Sequence, residues 1–160
     1  MIGGAGNVVR NLVAFGAKAD LVAAVGDDAA GAGLAALLEA TAGAEAHLVT
    51  VPGRRTTIKT RFVTGGQQLL RADHEAAVDI GDAGRKSLME RATAALEGCA
   101  ALILSDYGKG VLDPGTTAAL IAAANRVGKP VIVDPKGTDY TRYRGATLLT
   151  PNRAELAEAS

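Results

Sequence analysis

The sequence predicts a three-layer α/β domain, a mainly parallel sheet with helices on both faces, carrying a small β lid and incomplete at both ends. Three observations carry this. Short apolar runs at 21–25, 100–104, 131–133 and 146–149 alternate with segments of helical spacing, the pattern of strands buried on both faces. Asp-bearing or Pro-Asn turns follow several of those runs, at the carboxyl ends of strands where open α/β sheets gather ligands. Between His47 and Glu75 the helical spacing disappears, and successive strands suit a small antiparallel sheet set against the body.

Gly3-Gly4-Ala5-Gly6-Asn7 opens the chain and runs into a helix marked by Val8, Val9, Leu12 and Val13. Phe15-Gly16 ends it with a glycine suited to a C-cap. A strand at 21–25 is followed by the turn Gly26-Asp27-Asp28, which holds an N-cap candidate. Leu34, Leu37 and Leu38 mark a second helix, stopped near Gly43. The lid is expected over residues 47–73, from Leu48-Val49-Thr50-Val51, a strand at 56–64 and another at 67–73. Pro52-Gly53 and Gly65-Gly66 supply its turns, the second a tight hairpin. A polar linker over 79–84 leads to a helix through Leu88 and Leu96. The remainder alternates: strand 100–104, helix 116–127, strands 131–133 and 146–149, and a helix from Asn152.

At 160 residues the chain suits one domain with a sizeable core. Its 17 basic and 17 acidic residues cancel, so the broad basic footprint of a nucleic-acid binder is absent, and aromatics at 3% leave little for base stacking. Cys99 has no cysteine to pair with and precedes an apolar run, which suits a buried structural thiol. His47 and His74 show no metal-ligand spacing with Cys99 or with each other. No leader pattern opens the chain and no apolar run reaches membrane-spanning length, so a cytoplasmic protein without nucleic-acid or membrane partners is expected. Both ends read as cut: the ligand turn has no strand before it, and the last helix stops abruptly. An internal piece of a longer chain is expected.

Each chemically suggestive residue also has a plain structural account. The glycine turn alone is a simple way into a helix, and it is not the G-x-G-x-x-G fingerprint of a dinucleotide site. Lys59 and Arg61 share one face of a strand, as do Gln67, Leu69, Arg71 and Asp73; charges there keep an edge strand from aggregating. Three cations on one small sheet would equally suit a substrate that carries its own phosphate. Asp106 and Asp134 both end apolar strands, each near a lysine, in Ser105-Asp106-Tyr107-Gly108-Lys109-Gly110 and Asp134-Pro135-Lys136-Gly137. One such Asp is an ordinary turn former; two in one sheet are harder to dismiss. Asn152 and Glu155 have the spacing of a capping box, while a glutamate beside phosphates would act on Mg²⁺ through water.

These motifs together resemble the ribokinase-like (PfkB) carbohydrate kinases, over essentially the whole chain. Gln67-Gln68-Leu69-Leu70-Arg71-Ala72-Asp73 is a telling stretch, and the narrower matches are Asp106-Tyr107-Gly108-Lys109-Gly110 and Asp134-Pro135-Lys136-Gly137-Thr138-Asp139. Within that family they are most similar to the D-glycero-β-D-manno-heptose 7-phosphate kinases of bacterial ADP-heptose and lipopolysaccharide core synthesis. The resemblance implies transfer of the ATP γ-phosphoryl group to the anomeric hydroxyl of the sugar phosphate, with ATP and Mg²⁺ as cofactors and a homodimer formed through the lid. It implies that Gly3, Gly4, Asn7, Lys59, Gln68, Arg71, Asp106 and Lys109 bind the sugar phosphate. Lys136, Asn152, Arg153, Ala154 and Glu155 would face ATP, with Glu155 acting on the metal through water. The family's Gly-Ala-Gly-Asp turn, which supplies the catalytic Asp, does not occur in these residues; no catalytic residue is assigned, and the piece alone is expected to be inactive. Two alternatives stay open: another PfkB-type sugar or sugar-phosphate kinase, and a non-catalytic sugar- or nucleotide-binding module.

Overall fold

The structure, a computed structural model, describes residues 2–159. Its element order is α1 (Ala5–Ala14), β1 (Ala19–Gly26), α2 (Ala29–Glu39), β2 (Ala44–Val51), β3 (Ile58–Thr64), β4 (Gln67–His74), α3 (Gly81–Gly98), β5 (Leu102–Ser105), α4 (Pro114–Arg126), β6 (Val131–Asp134), a 3-10 turn (Tyr140–Tyr143), β7 (Leu148–Leu149) and α5 (Arg153–Ala159). Parallel strands form two sheets among the described residues, β1-β2 and β5-β6-β7, and β3-β4 is a separate antiparallel hairpin.

Period-2 alternation covers the first sheet on both faces. Leu21, Ala23, Ala46 and Leu48 pack with Val9 and Val13 of α1 and Leu34 and Leu38 of α2. Val22, Ala24, Val49 and Val51 join the larger core with Leu88, Ala92 and Leu96 of α3, Leu104 of β5, Leu120 and Ala124 of α4, and Val131 and Val133 of β6. Helix α3 thus lies against the β1-β2 sheet and against α4. Helix starts follow capping chemistry: Asp28 accepts from Gly31 N at 2.8 Å, and Asp113 accepts from Gly115 N and Thr116 N, with Pro114 in the first turn.

The lid boundary needs correction. Residues 47–51, expected in the lid, belong to β2, which pairs in parallel with β1 from Ala19↔Ala44 to Gly26↔Val51. No helix separates β2 from β3, so the sequence offered no change of period there, yet β2 is covered on both faces as a body strand must be. What remains of the expected lid is the hairpin Ile58–His74, exposed along its whole length and bulged between Phe62 and Val63. Smaller differences follow: α3 begins inside the expected linker, at Gly81, and β5 starts at Leu102. Cys99 is only half-buried, its thiol 3.2 Å from Asp20 Oδ2.

Candidate active site at the strand ends

Three segments meet beyond the carboxyl ends of β5 and β6. Asp106 N donates to Asp134 O at 3.0 Å, which ties the two strand ends together. Asp106 is 3% exposed, and protein groups contact both of its side-chain oxygens. Oδ1 accepts from Gly108 N at 2.8 Å; Oδ2 accepts from the Tyr143 hydroxyl at 2.7 Å and has Arg142 Nη2 at 3.4 Å. Tyr143 is 2% exposed, its hydroxyl also accepts from Lys136 N at 3.0 Å, and burial pushes its pKa up to about 12. Asp106, expected to touch substrate, is here the post that shapes two loops, the one at 105–110 and the one carrying Lys136.

The glycine turn lies beside the first of these loops. Gly4 has φ 55°, open to glycine but strained for other residues, and a Cβ there would stand 3.8 Å from the Tyr107 ring. Gly3 and Asn7 are exposed, and among the described residues the Asn7 amide side chain makes no hydrogen bond within the protein. It is free to donate to and accept from a ligand hydroxyl.

The hairpin brings its cations to the same place through ion pairs. Lys59 Nζ lies 2.8 Å from Asp73 and 3.2 Å from Glu75, Arg71 Nε lies 2.9 Å from Asp73, and Lys109 Nζ lies 2.5 Å from Glu75. The hydrogen bond from Lys59 holds the Asp73 carboxyl below its ordinary pKa, and Lys109, then Lys59, do the same for Glu75. Glu75 therefore joins the foot of the lid to the 105–110 loop. The bulge interrupts alternation along β4: Leu69 is the extra residue, and the register pairs Gln68 with Val63, on the face that carries Lys59, Arg61, Arg71 and Asp73. No hydrogen bond or ion pair among the described residues links Arg71 to Asn7 or Asp106.

On the expected nucleotide side, Asn152 Oδ1 accepts from Ala154 N and Glu155 N, and Glu155 Oε2 accepts from Asn152 N at 3.0 Å, a complete capping box. The other Glu155 oxygen lies 3.3 Å from Lys136 Nζ. Backbone donation from Asn152, then Lys136, lowers the Glu155 pKa; burial, then the charge of Glu155, raises that of Asp134. Arg153 and Ala154 are exposed. Lys136 and Glu155 thus stand together beyond β6, and a Cβ on Gly108 would be 3.5 Å from Lys136 Cγ.

Four residues in this constellation were given no role from the sequence: Arg54, whose Nη2 donates to Lys109 O at 3.0 Å, Glu75, Arg142 and Tyr143. Only Glu75 left a signal, as an acid two positions beyond Asp73 at the end of a cation-bearing strand. A second cluster, Asp20, Glu45 and His47, has ligand atoms within 4.8 Å of one another. It lies at the opposite ends of β1 and β2, and ion pairs from His47 to Asp20 at 3.9 Å and Glu45 at 3.7 Å account for it. The sequence concealed it because Asp20 and Glu45 are neighbours only across the β1-β2 register.

A family model described as pfkB family carbohydrate kinase matches residues 1–160. The chain is 53% identical to the bifunctional protein HldE of Paramagnetospirillum magneticum, over 100% of this chain and 33% of that protein. The HldE protein of Rhodospirillum rubrum is also 53% identical, over 100% of this chain and 32% of its own length. The chain spans about a third of the length of these curated relatives. Among solved structures it is similar to a phosphofructokinase-2 mutant from Escherichia coli, with TM-score 0.76 and 22% identity, over 98% of this chain and 51% of that one. That likeness shows the ribokinase-like fold. No helix among the described residues is long and apolar enough to cross a membrane.

Proposed function

The chain belongs to the pfkB family of carbohydrate kinases, and on that premise we propose that it supplies the sugar-phosphate side and part of the nucleotide side of an ATP-dependent heptose 7-phosphate kinase. The parent protein transfers the ATP γ-phosphoryl group to the anomeric hydroxyl of D-glycero-β-D-manno-heptose 7-phosphate, giving heptose 1,7-bisphosphate for ADP-heptose and lipopolysaccharide core synthesis in the bacterial cytoplasm. The 53% identity to HldE over the whole chain supports the substrate. The single observation that carries the site is the Lys109–Glu75–Lys59 linkage, which sets lid cations beside the loop that also touches the glycine turn.

Roles follow from exposure and partners. Gly3, Gly4 and Asn7 hold sugar hydroxyls, since the turn leaves backbone and amide accessible. Lys59, Arg71 and Lys109 receive the phosphate already on the sugar, whose charge replaces that of Asp73 and Glu75. Gln68 shares the lid face of Lys59 and Arg71, nearer the hairpin turn. Asp106 acts through its loop. Lys136 and the 152–155 turn face ATP. The residues present fit Mg²⁺: burial, then the charge of Glu155, raises the cost of ionising Asp134, which a divalent cation relieves. Bound there, Mg²⁺ would neutralise charge on the nucleotide phosphates, with Glu155 holding it through water. This chain's residues position and neutralise; none of them is assigned as the base.

One lid face is apolar and exposed, with Ile58, Phe62 and Leu70 at 45%, 50% and 58% exposure. A second copy of the chain covers that face in the proposed homodimer. The full-length protein, incubated with ATP and heptose 7-phosphate, fructose 6-phosphate or ribose, tests the function. Preferential turnover of heptose 7-phosphate is expected. Preference for another sugar transfers the site to a different kinase of this family, and binding without turnover makes it a non-catalytic module.

A further inference from the structure

We propose that Arg54 is a positioning residue that clamps both stems of the lid to the 105–110 loop and so sets where the lid cations stand; this rests on the sugar-phosphate reading above. The hairpin hangs from two stems, residues 52–57 and 75–80. Arg54 belongs to the first and is 9% exposed, although Gly53 and Arg55 beside it are exposed. Its guanidinium donates from Nη1 to Val78 O of the second stem at 2.6 Å, and from Nη2 to Lys109 O at 3.0 Å. Among the described residues no carboxylate pairs with it. Buried cations are ordinarily matched by a counter-charge; this one instead bridges carbonyls from two separate segments, a task for which the planar fork of arginine is suited and the single ammonium of lysine is not.

Neighbouring contacts close the same joint. Gly110 has φ 76°, and a Cβ there would lie 2.5 Å from Val78 O and 2.9 Å from Asp79 N, so loop and stem touch with no space between them. Thr56, two residues after Arg54, is fixed to the body: Thr56 N donates to Asp28 Oδ2 at 2.8 Å, and its hydroxyl accepts from Gly26 N at 2.8 Å. Beyond the clamp, the run Lys109–Glu75–Lys59–Asp73–Arg71 consists of solvent-facing ion pairs. Pairs of that kind contribute little and exchange readily. The lid therefore owes its placement to the buried guanidinium, and its cations remain free to change partner when a sugar phosphate arrives.

The test compares Arg54→Lys, Arg54→Met and Gly110→Ala with the unaltered full-length protein. Gly110→Ala opens the joint from the other side and leaves Arg54 intact. Two readouts are taken: Michaelis constants for heptose 7-phosphate and ATP, and amide hydrogen exchange along the chain. The sugar-phosphate KM is expected to rise about tenfold or more, as for loss of a charge-assisted hydrogen bond, with the KM for ATP unchanged and Lys less damaging than Met. Exchange in β3 and β4 should accelerate while β5, β6 and α4 stay protected. Equal changes in both KM values, or unchanged lid exchange in folded Arg54→Lys and Gly110→Ala, would overturn the proposal, as would lowered stability with unaltered KM. Should the protein phosphorylate no sugar phosphate, the functional reading fails and lid exchange still decides the clamp. Should Arg54→Met not fold, the other two variants carry the comparison.

Discussion

Tyr143→Phe removes one oxygen from the centre of the strand-end site and leaves the shape of the ring. That oxygen donates to the buried Asp106 carboxylate at 2.7 Å and accepts from Lys136 N at 3.0 Å. A hydrogen bond to a charged group contributes about 1.5–3 kcal/mol and an orphaned buried donor costs about 1–3 kcal/mol, so the change should destabilise by about 3 kcal/mol with no cavity contribution. Urea unfolding of the full-length protein, following the transition of this domain, measures it. Tyr107→Phe is the control, since Tyr107 is 45% exposed and should lose almost nothing. A double-mutant cycle with Asp106→Asn isolates the shared bond. There is also an alkaline signature. The Tyr143 pKa is raised to about 12 from an ordinary value of about 10, so folding favours the neutral hydroxyl. That contribution is whole below about pH 10 and is lost as pH rises through the folded value of about 12; in Tyr143→Phe it should vanish. A loss under about 0.5 kcal/mol, the range of ordinary surface changes, or additive energies in the cycle, would refute the role given to this hydroxyl.

Arg71→Ala should raise KM for the sugar phosphate far more than for ATP, and equal effects would remove Arg71 from the phosphate-binding set. Glu155→Gln keeps an acceptor for Asn152 N but loses the charge, so the melting temperature should hold while kcat falls and the Mg²⁺ requirement rises; lowered stability with unaltered Mg²⁺ dependence would leave Glu155 as a cap alone. Asp73 and Glu75 have lowered pKa values, so their ion pairs stabilise the hairpin above the ordinary carboxyl value of about 4 and are lost as pH falls through the lower folded values. Carboxyl-carbon NMR should place each midpoint below the ordinary value for its residue type, and midpoints at or above the ordinary values would count against the paired geometry.

Much of this was legible in the sequence because backbone chemistry is local. Alternating apolar runs and helical spacing located β1, β5, β6 and the helices. Asn152 and Glu155 have the spacing of a capping box and form one. Asp106 was located, but its partners within the protein were not. A strand-end Asp looks the same in sequence whether its oxygens face a ligand or a tyrosine 37 positions later. Arg54 was invisible for a related reason: in Gly53-Arg54-Arg55 it looks like one of two exposed charges, and only the fold aims it inward at Val78 and Lys109. The misplaced lid boundary has the opposite origin. β2 and β3 share a two-residue period, and only pairing with β1 separates body from lid.

The arithmetic of the lid explains why a phosphorylated sugar suits the site. In the ion-paired run Lys59, Arg71 and Lys109 carry three positive charges against two negative ones on Asp73 and Glu75, and Arg61, opposite Arg71, adds another cation to that face. A neutral sugar would have to separate those pairs with hydroxyl dipoles alone, against the attraction they already enjoy. A phosphate brings about two negative charges and three acceptor oxygens at neutral pH, enough to replace both carboxylates at the cations and to use the remaining positive charge. Because the pairs are solvent-facing, the exchange costs little burial, and because the buried Arg54 fixes the stems, the cations do not drift while it happens. On the proposed function, preference for a phosphate already on the substrate follows from the charge count, and placement of that phosphate from the clamp.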